Sequence, residues 1–140
     1  MRVIMLKKGK ILVIDDNQGI REALKILLGG RFERVETLPS PVSLMRTVES
    51  LRPDVILLDM NFKTDINTGN EGLFWLSEIK ARWPEQAVVL FTAYADIALA
   101  VEGMKRGAED FMAHLQSSVF KLSKDLIDSI HEEGIVAYTS

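Results

Sequence analysis

Two short apolar runs, each followed by acidic residues, constrain the fold of this chain more than any other feature. Residues 11–14 are Ile-Leu-Val-Ile and precede Asp15 and Asp16, and residues 55–58 are Val-Ile-Leu-Leu and precede Asp59. Strands that are apolar at every position are typical of a parallel sheet covered by helices on both faces. The carboxyl ends of such strands line the ligand crevice, so we expect these carboxylates to meet in one cleft.

Such a group of carboxylates points to a bound cation. Carboxylates held close together repel one another and raise one another's pKa. A protein keeps that unfavourable arrangement only where something uses the charge, and a divalent cation with oxygen ligands is the obvious candidate. We therefore predict a cation site at Asp15, Asp16 and Asp59.

Strand and helix patterns alternate along the chain. The predicted strands cover residues 10–15, 33–37, 54–59, 87–91 and 110–113. The predicted helices begin after Asn17 and stop at Gly29, cover 41–51, 73–83 and 97–106, and follow an amphipathic pattern from Val119 to Ile130. This order predicts an α/β fold of (βα)5 type, a flavodoxin-like three-layer sandwich with a parallel sheet ordered 2-1-3-4-5.

Two local features of the predicted helices are a long loop before the third helix and a glycine within the fourth. The polar segment 61–72 precedes the third helix and is predicted to be a loop, longer than most strand-to-helix connections. Gly103 lies in the middle of the fourth helix, where glycine costs about 1 kcal/mol relative to alanine. We interpret Gly103 as a tolerated glycine, and the alternative is a marginal helix that belongs to a two-state element.

Length and composition limit the function. The chain has 140 residues, enough for one domain; we expect a flexible leader at 1–9, the domain at 10–131 and a tail at 132–140. The formal net charge of −3, without a basic cluster, argues against direct nucleic-acid binding. There are no cysteines, and no stretch is apolar and long enough for a signal peptide or a membrane span. We expect a cytoplasmic protein that does not contact membranes.

Four short motifs, in this order along the chain, resemble the receiver domain of two-component response regulators, the CheY-like family. They are Ile-Asp-Asp-Asn from residue 14, Leu-Leu-Asp-Met-Asn from residue 57, Phe-Thr-Ala-Tyr from residue 91 and Gly-Ala-Glu-Asp-Phe from residue 107. Each motif is weak alone, but all four fall at predicted strands or strand ends. The resemblance covers about residues 10–113.

The resemblance implies a role for each acidic residue. Asp59 would accept a phosphoryl group from a sensor histidine kinase. Asp16 would bind Mg²⁺ directly, Asp15 would bind it through water, and the backbone carbonyl of Asn61 would add a further ligand. Carboxylate attack on phosphorus and Mg²⁺ as the bridging charge fit these residues chemically. The protein would not be an enzyme that turns over outside substrates.

The resemblance also implies a conformational switch. Thr92 would hydrogen-bond the phosphoryl group, and Phe111 would swing inward when Thr92 moves. Asn61 and Tyr94 would modulate hydrolysis of the phosphoryl group, and the Tyr94 ring would flank the path of the attacking water. The face formed by the fourth helix, fifth strand and fifth helix would bind partners or form a homodimer. The output would be control of transcription through a domain outside this chain.

One departure from the family pattern keeps an alternative open. Receivers carry Lys-Pro after the fifth strand, whereas this chain has His114 and Leu115. Imidazole is shorter than a lysine side chain and only partly protonated near neutral pH. Phosphorylation could therefore couple poorly to the switch. The alternative function is a pseudo-receiver, a protein-interaction module that works without phosphate.

The segment 61–72 resembles receivers of NtrC-like activators, in which a sigma-54-interacting ATPase domain and a helix-turn-helix domain follow the receiver.

Other site classes fit poorly. A calcium loop starting at Asp59 would have Lys63 and Thr64 at its fifth and sixth positions, and the sixth requires glycine. The P-loop motif and the glycine-rich dinucleotide motif are both absent from the sequence.

Overall fold

The strands and helices follow the alternation that the sequence predicts. The structure, a computed structural model, describes residues 9–60, 70–92, 97–113 and 119–132. The strands are β1 (Lys10–Ile14), β2 (Arg34–Leu38), β3 (Val55–Asp59), β4 (Ala87–Thr92) and β5 (Asp110–Ala113). The helices are α1 (Gln18–Gly29), α2 (Leu44–Leu51), α3 (Asn70–Arg82), α4 (Ile97–Lys105) and α5 (Val119–Glu132), and a short 3-10 helix, Pro41–Ser43, precedes α2.

The strands form one parallel sheet in the order β2-β1-β3-β4-β5. This order confirms the predicted α/β fold and topology. Ile14 at the end of β1 lies opposite Leu58 of β3, and Asp59 lies opposite Phe91 of β4. The residues that follow β1 and β3 therefore meet at the carboxyl edge of the sheet.

Helices cover both faces of the sheet because successive side chains of each strand point to opposite faces. One core contains Val13 and Leu57 of the sheet with residues of α1 and α5, and the other contains Leu12 and Leu58 with residues of α2 and α3. Full burial of such a side chain contributes about 1.5–3 kcal/mol. The central strands therefore form the rigid platform that carries the strand ends.

Helix ends agree with the local sequence. The Asn17 side chain caps α1 by accepting a hydrogen bond from the Ile20 N–H, with Oδ1 and N 3.0 Å apart. Helix α2 ends at Arg52, which adopts the left-handed conformation with φ 52° and is followed by Pro53. The predicted helix break at Arg52 and Pro53 is therefore present.

Helix α3 begins earlier than the sequence predicts. Residues 61–72 were expected to form a loop, but α3 begins at Asn70 and includes Gly72 in its first turn. Asn and Gly favour loops in isolation. Here Glu71 in the first turn and the basic residues in the last turn complement the helix dipole. Gly72 also allows the first turn to pack directly on the backbone of Met60.

Gly103 has a packing role that the sequence did not reveal. A Cβ atom at this position would lie 2.5 Å from Cδ1 of Leu90 in β4. Glycine therefore lets α4 approach the sheet closely, at the helix-propensity cost noted above. This contact gives a reason for the glycine that neither interpretation of the sequence contained.

The helices are short compared with membrane-spanning ones. Helix α5 contains 14 residues, whereas a helix that crosses a bilayer needs about 20 apolar residues. No helix in the described ranges combines the length and apolar character needed to cross a membrane.

Candidate acidic site at the carboxyl edge of the sheet

Asp15, Asp16 and Asp59 form one cluster at the carboxyl edge of the sheet. Each offers a carboxylate oxygen, and these oxygens all lie within 4.8 Å of one another. Asp15 and Asp59 are almost fully buried, with exposed fractions of 2% and 8%. Asp16 is half-buried. The cluster arises because β1 and β3 are neighbours in the sheet, although 43 residues separate Asp16 from Asp59 along the chain.

The turn after β1 orients Asp15 through short-range hydrogen bonds. The backbone N–H of Asn17 donates to Oδ1 of Asp15 at 2.8 Å, and the backbone N–H of Asp15 donates to the Leu38 carbonyl of β2 at 3.1 Å. Asn17 in turn caps α1. The cap and the carboxylate are therefore held by one compact turn, which leaves the side chain of Asp15 little freedom.

The electrostatic environment of Asp15 is unfavourable for its charge. The pKa of the Asp15 carboxyl is raised from the usual 3.8 to about 6, chiefly because burial disfavours the charged form. The hydrogen bond from the Asn17 N–H lowers this pKa, and the neighbouring Asp16 contributes to raising it. A buried carboxylate beside another carboxylate gains stability from any cation that enters the cluster.

Arg21 is a residue of this region that the sequence reasoning missed. Its guanidinium donates to the backbone carbonyl of Asp15, with Nη1 and O 3.0 Å apart, and its charge lowers the pKa of the Asp15 carboxyl. The available signal was its position one turn into the helix that follows the acidic pair. A basic residue there reaches back to the strand end.

The backbone that follows Asp59 is also held by hydrogen bonds. The Met60 N–H donates to the Phe91 carbonyl of β4 at 3.0 Å, and the Met60 carbonyl accepts from the Gly72 N–H of α3 at 3.3 Å. Met60 is fully buried. Its peptide groups are therefore held between the sheet and α3.

The other predicted site residues are only partly described. Thr92 ends β4, one residue beyond the Phe91 that pairs with Asp59, and its side chain lies outside the described part. Phe111 in β5 is partly buried and packs against the core that contains α2 and α3. Asn61, Tyr94 and His114 lie outside the described residues, so the predicted roles of all these residues stay predictions.

The donor set of the cluster fits a hard divalent cation. All its ligand atoms are carboxylate oxygens, and Mg²⁺ binds such oxygens and retains several waters. Among the described residues, no sulfur or imidazole donor joins the cluster, and softer metals prefer such donors. Asp15, Asp16 and Asp59 could hold Mg²⁺ and leave coordination positions for water or a phosphoryl oxygen.

Comparison with known proteins agrees with this geometry. Residues 11–116 match the family of response regulator receiver domains. The chain is 31% identical over 107 residues to the DNA-binding transcriptional regulator NtrC of Escherichia coli, a match that covers 76% of this chain and 22% of NtrC. It is 35% identical over 100 residues to FixJ of Azorhizobium caulinodans, covering 71% of this chain and 45% of FixJ. The match thus spans 22% of the length of NtrC and 45% of the length of FixJ.

Solved structures lead to the same conclusion. The N-terminal signal receiver domain of a two-component response regulator from Bacteroides fragilis is 48% identical, with a TM-score of 0.72, covering 87% of this chain and 96% of that one. The response regulator domain of CheB from Thermotoga maritima shares the fold, with a TM-score of 0.77 at 19% identity, covering 94% of this chain and 99% of that one. This chain belongs to the response regulator receiver domain family, as its motifs predicted.

Proposed function

We propose that this protein is a phosphorylation-gated receiver of a two-component system, which accepts a phosphoryl group on Asp59 from a sensor histidine kinase. The observation that carries the proposal is the buried acidic cluster at the carboxyl edge of a receiver fold. Like charges in a buried site are unfavourable unless a cation occupies it, and such a cation can also attract an anionic phosphoryl group. Phosphoryl transfer with Mg²⁺ uses the cluster in this way.

In the proposed reaction, an Asp59 carboxylate oxygen attacks the phosphorus of a phosphohistidine. The new bond is a P–O bond of an aspartyl phosphate, the P–N bond breaks, and the imidazole leaves. Mg²⁺, when bound, would neutralise the charge that the carboxylate and the phosphoryl oxygens bring together. Asp16 would hold the cation directly, Asp15 would hold it through water, and the backbone carbonyl of Asn61 would complete the protein ligands. The protein would catalyse only its own phosphorylation and dephosphorylation.

The response to phosphorylation would involve the edge of the sheet that carries β4 and β5. Thr92, at the carboxyl end of β4, would hydrogen-bond the phosphoryl group, and Phe111 would follow its movement. The partly buried position of Phe111 leaves room for a change in packing. The face formed by α4, β5 and α5 would then bind a partner or a second copy and control an output such as transcription.

We propose that residues 10–131 form the receiver domain and that the protein works in the cytoplasm, where histidine kinases present their phosphate. Residues 1–9 would be a flexible leader and 132–140 a tail. Transcription control would require an output domain like those of NtrC-type regulators. We expect no direct nucleic-acid binding by this chain, whose net charge is −3.

A second candidate function, a pseudo-receiver, rests on His114 and Leu115 at the positions where receivers carry Lys-Pro. Such a protein would bind its partner without phosphate. Mg²⁺-dependent phosphorylation separates the two candidates, because only the first requires it.

The decisive experiment is the mass of the intact protein after incubation with acetyl phosphate, with and without Mg²⁺. We expect a phosphoryl adduct that requires Mg²⁺ and is absent from the Asp59→Asn variant. Asp54→Asn is the matched control, because Asp54 lies just before the opposite end of the same strand. No adduct, with acetyl phosphate or with a cognate kinase, would favour the pseudo-receiver.

Two further variants test the predictions that lie outside the described residues. If His114 weakens the coupling between phosphate and switch, His114→Lys should strengthen phosphorylation-dependent dimerisation or partner binding. Unchanged behaviour would contradict this hypothesis.

If the Tyr94 ring slows the attack of water, Tyr94→Glu should shorten the lifetime of the aspartyl phosphate, and an equal lifetime would argue against shielding.

A further inference from the structure

We infer that the first turn of α3 positions the phosphoacceptor turn, and that Gly72 is the positioning residue because it allows that turn to rest directly on the backbone of Met60. This inference rests on the proposed function of Asp59. It concerns how this chain holds its own backbone around the acidic cluster, in a region that the sequence predicted to be a loop.

The contact between Gly72 and Met60 is a backbone contact. A Cβ atom at position 72 would lie 2.7 Å from Cα of Met60, 3.0 Å from its carbonyl oxygen and 3.0 Å from its Sδ. The Gly72 N–H also donates a hydrogen bond to that carbonyl oxygen, at 3.3 Å between N and O. Glycine permits this close approach of two backbones, and any side chain would push them apart.

Met60 cannot move away without moving its neighbours. Its N–H donates to the Phe91 carbonyl at 3.0 Å, and its side chain is fully buried in the core beneath α2 and α3. Packed interiors yield little when atoms are added. A methyl group at position 72 would therefore displace the peptide groups on either side of Met60, the first of which joins Met60 to Asp59.

That displacement would affect the predicted cation site more than the stability of the fold. Asp59, the residue before Met60, supplies a carboxylate of the cluster. Octahedral Mg²⁺ requires near-ideal ligand positions, and misplacement of reacting groups by about 1 Å can reduce rates about a hundredfold. The first turn of α3 therefore acts as a support for the turn that carries Asp59.

The chain offers matched controls among its other glycines. At Gly103 an added Cβ would meet the end of a flexible side chain, Cδ1 of Leu90, at 2.5 Å, whereas at Gly29 no atom lies within 4 Å. Gly103→Ala therefore tests a contact of similar distance, but with a side chain instead of a backbone, in a neighbouring helix and away from the turn after β3. Gly29→Ala tests the effect of adding a methyl group to an open helix position.

The experiment compares Gly72→Ala, Gly103→Ala and Gly29→Ala in the full chain. The measurements are Mg²⁺ affinity by calorimetry, resistance to urea unfolding, and hydrogen exchange of the Met60 amide. We expect Gly72→Ala to weaken Mg²⁺ binding at least about tenfold and to speed Met60 exchange. Gly103→Ala should lower urea resistance with Mg²⁺ affinity within about twofold of the original, and Gly29→Ala should leave all the measurements nearly unchanged.

Second substitutions sharpen the contrast. Leu90→Val shortens the side chain that Gly103→Ala would contact, so it should restore part of the urea resistance of that variant. Met60→Ala removes Sδ but leaves Cα and the carbonyl oxygen in place. It should therefore not restore the Mg²⁺ affinity of Gly72→Ala.

If Gly72→Ala does not fold, Leu73→Ala and Ile79→Ala replace it. Both residues are buried in the same core, at opposite ends of α3. Both should lose urea resistance, but only Leu73→Ala, beside the Met60 contact, should lower Mg²⁺ affinity, by several-fold. Equal Mg²⁺ affinities for these two variants, or for Gly72→Ala and Gly103→Ala, would overturn the inference.

The outcome is separable from that of the proposed function. If the original protein binds Mg²⁺ and is phosphorylated while Gly72→Ala does both equally well, only the positioning role of Gly72 fails. If the original protein takes up no phosphoryl group, the proposed function fails. Hydrogen exchange at Met60 then still decides the positioning role: faster exchange in Gly72→Ala supports it, and equal exchange overturns it.

Discussion

The two ends of the central sheet hold their charges in opposite ways. At the amino edge, charged groups are exposed and paired with partners of opposite polarity. Glu49 of α2 and Arg82 of α3 form an ion pair with 2.9 Å between Oε2 and Nη2, and both side chains are more than half exposed. Asp54 accepts a hydrogen bond from the backbone N–H of Lys10 at 2.7 Å.

At the carboxyl edge, charges of the same sign are brought together and buried. Asp15 and Asp59 are nearly inaccessible to water, and Asp16 completes the cluster within 4.8 Å. The raised pKa of Asp15 shows that the fold holds this carboxyl where its charge is unfavourable. Burial and like charge thus coincide at only one of these two edges.

The comparison separates exposed charge, which contributes little to folding, from buried like charge, which opposes it. Exposed ion pairs contribute about 0–1 kcal/mol each, so the amino edge could change with little consequence. A buried cluster of like charges opposes folding, and only a ligand that enters the cluster offsets it. The carboxyl edge of the sheet is therefore the edge at which charge opposes folding.

The largest expected effect is a gain in stability on removing the charge of Asp15. The folded pKa of about 6 exceeds the usual 3.8, so the folded state binds more protons between these values. The free energy of unfolding therefore falls as pH rises from about 4 to about 6, and it stays low at higher pH. Without Mg²⁺ at pH 7.5, Asp15→Asn should be more stable by about 3 kcal/mol.

Urea unfolding at several pH values measures this difference. The advantage of Asp15→Asn should vanish below about pH 4, where Asp15 is protonated in both the folded and the unfolded states. Asp54→Asn is the control, because it removes an exposed carboxylate at the amino edge, away from the cluster. A stability difference that does not change with pH would contradict the account of the cluster.

The next effect concerns the cation. Asp16→Asn removes the carboxylate that we predict to bind Mg²⁺ directly, and we expect affinity to fall at least tenfold, or about 1.4 kcal/mol. Calorimetric titration of the two proteins tests this. Glu85→Gln, which changes an exposed carboxylate near the amino edge, should bind Mg²⁺ like the original protein. Similar Mg²⁺ affinities for all three proteins would contradict the prediction that the acidic cluster binds the cation.

The smallest effect belongs to the amino edge. Glu49→Gln breaks the exposed ion pair with Arg82, and we expect a loss of about 0.5 kcal/mol or less. Urea unfolding in low and high salt measures it, and added salt should reduce the difference further. A loss well above 1 kcal/mol would contradict the inference that exposed charges at the amino edge contribute little to stability.

Much of the fold could be predicted from the sequence because the relevant signals are local. Uninterrupted apolar runs predicted the central strands, and the cap at Asn17 and the break at Arg52 and Pro53 predicted helix ends. The prediction of where α3 begins was wrong, because the predicted loop 61–72 includes the first turn of that helix. Local propensity assigned Gly72 to a loop, while its contact with Met60 depends on a strand that lies more than ten residues away.

For the site, the sequence was enough to show which carboxylates follow the strands and to predict that the strand order would bring them together. Their burial, the raised pKa of Asp15, the approach of Arg21 and the support of Met60 by α3 became visible only in the folded chain. The difference lies in how far along the chain each effect reaches. Strand and cap signals act within a few residues, whereas desolvation and close backbone packing depend on segments that meet only after the sheet has formed.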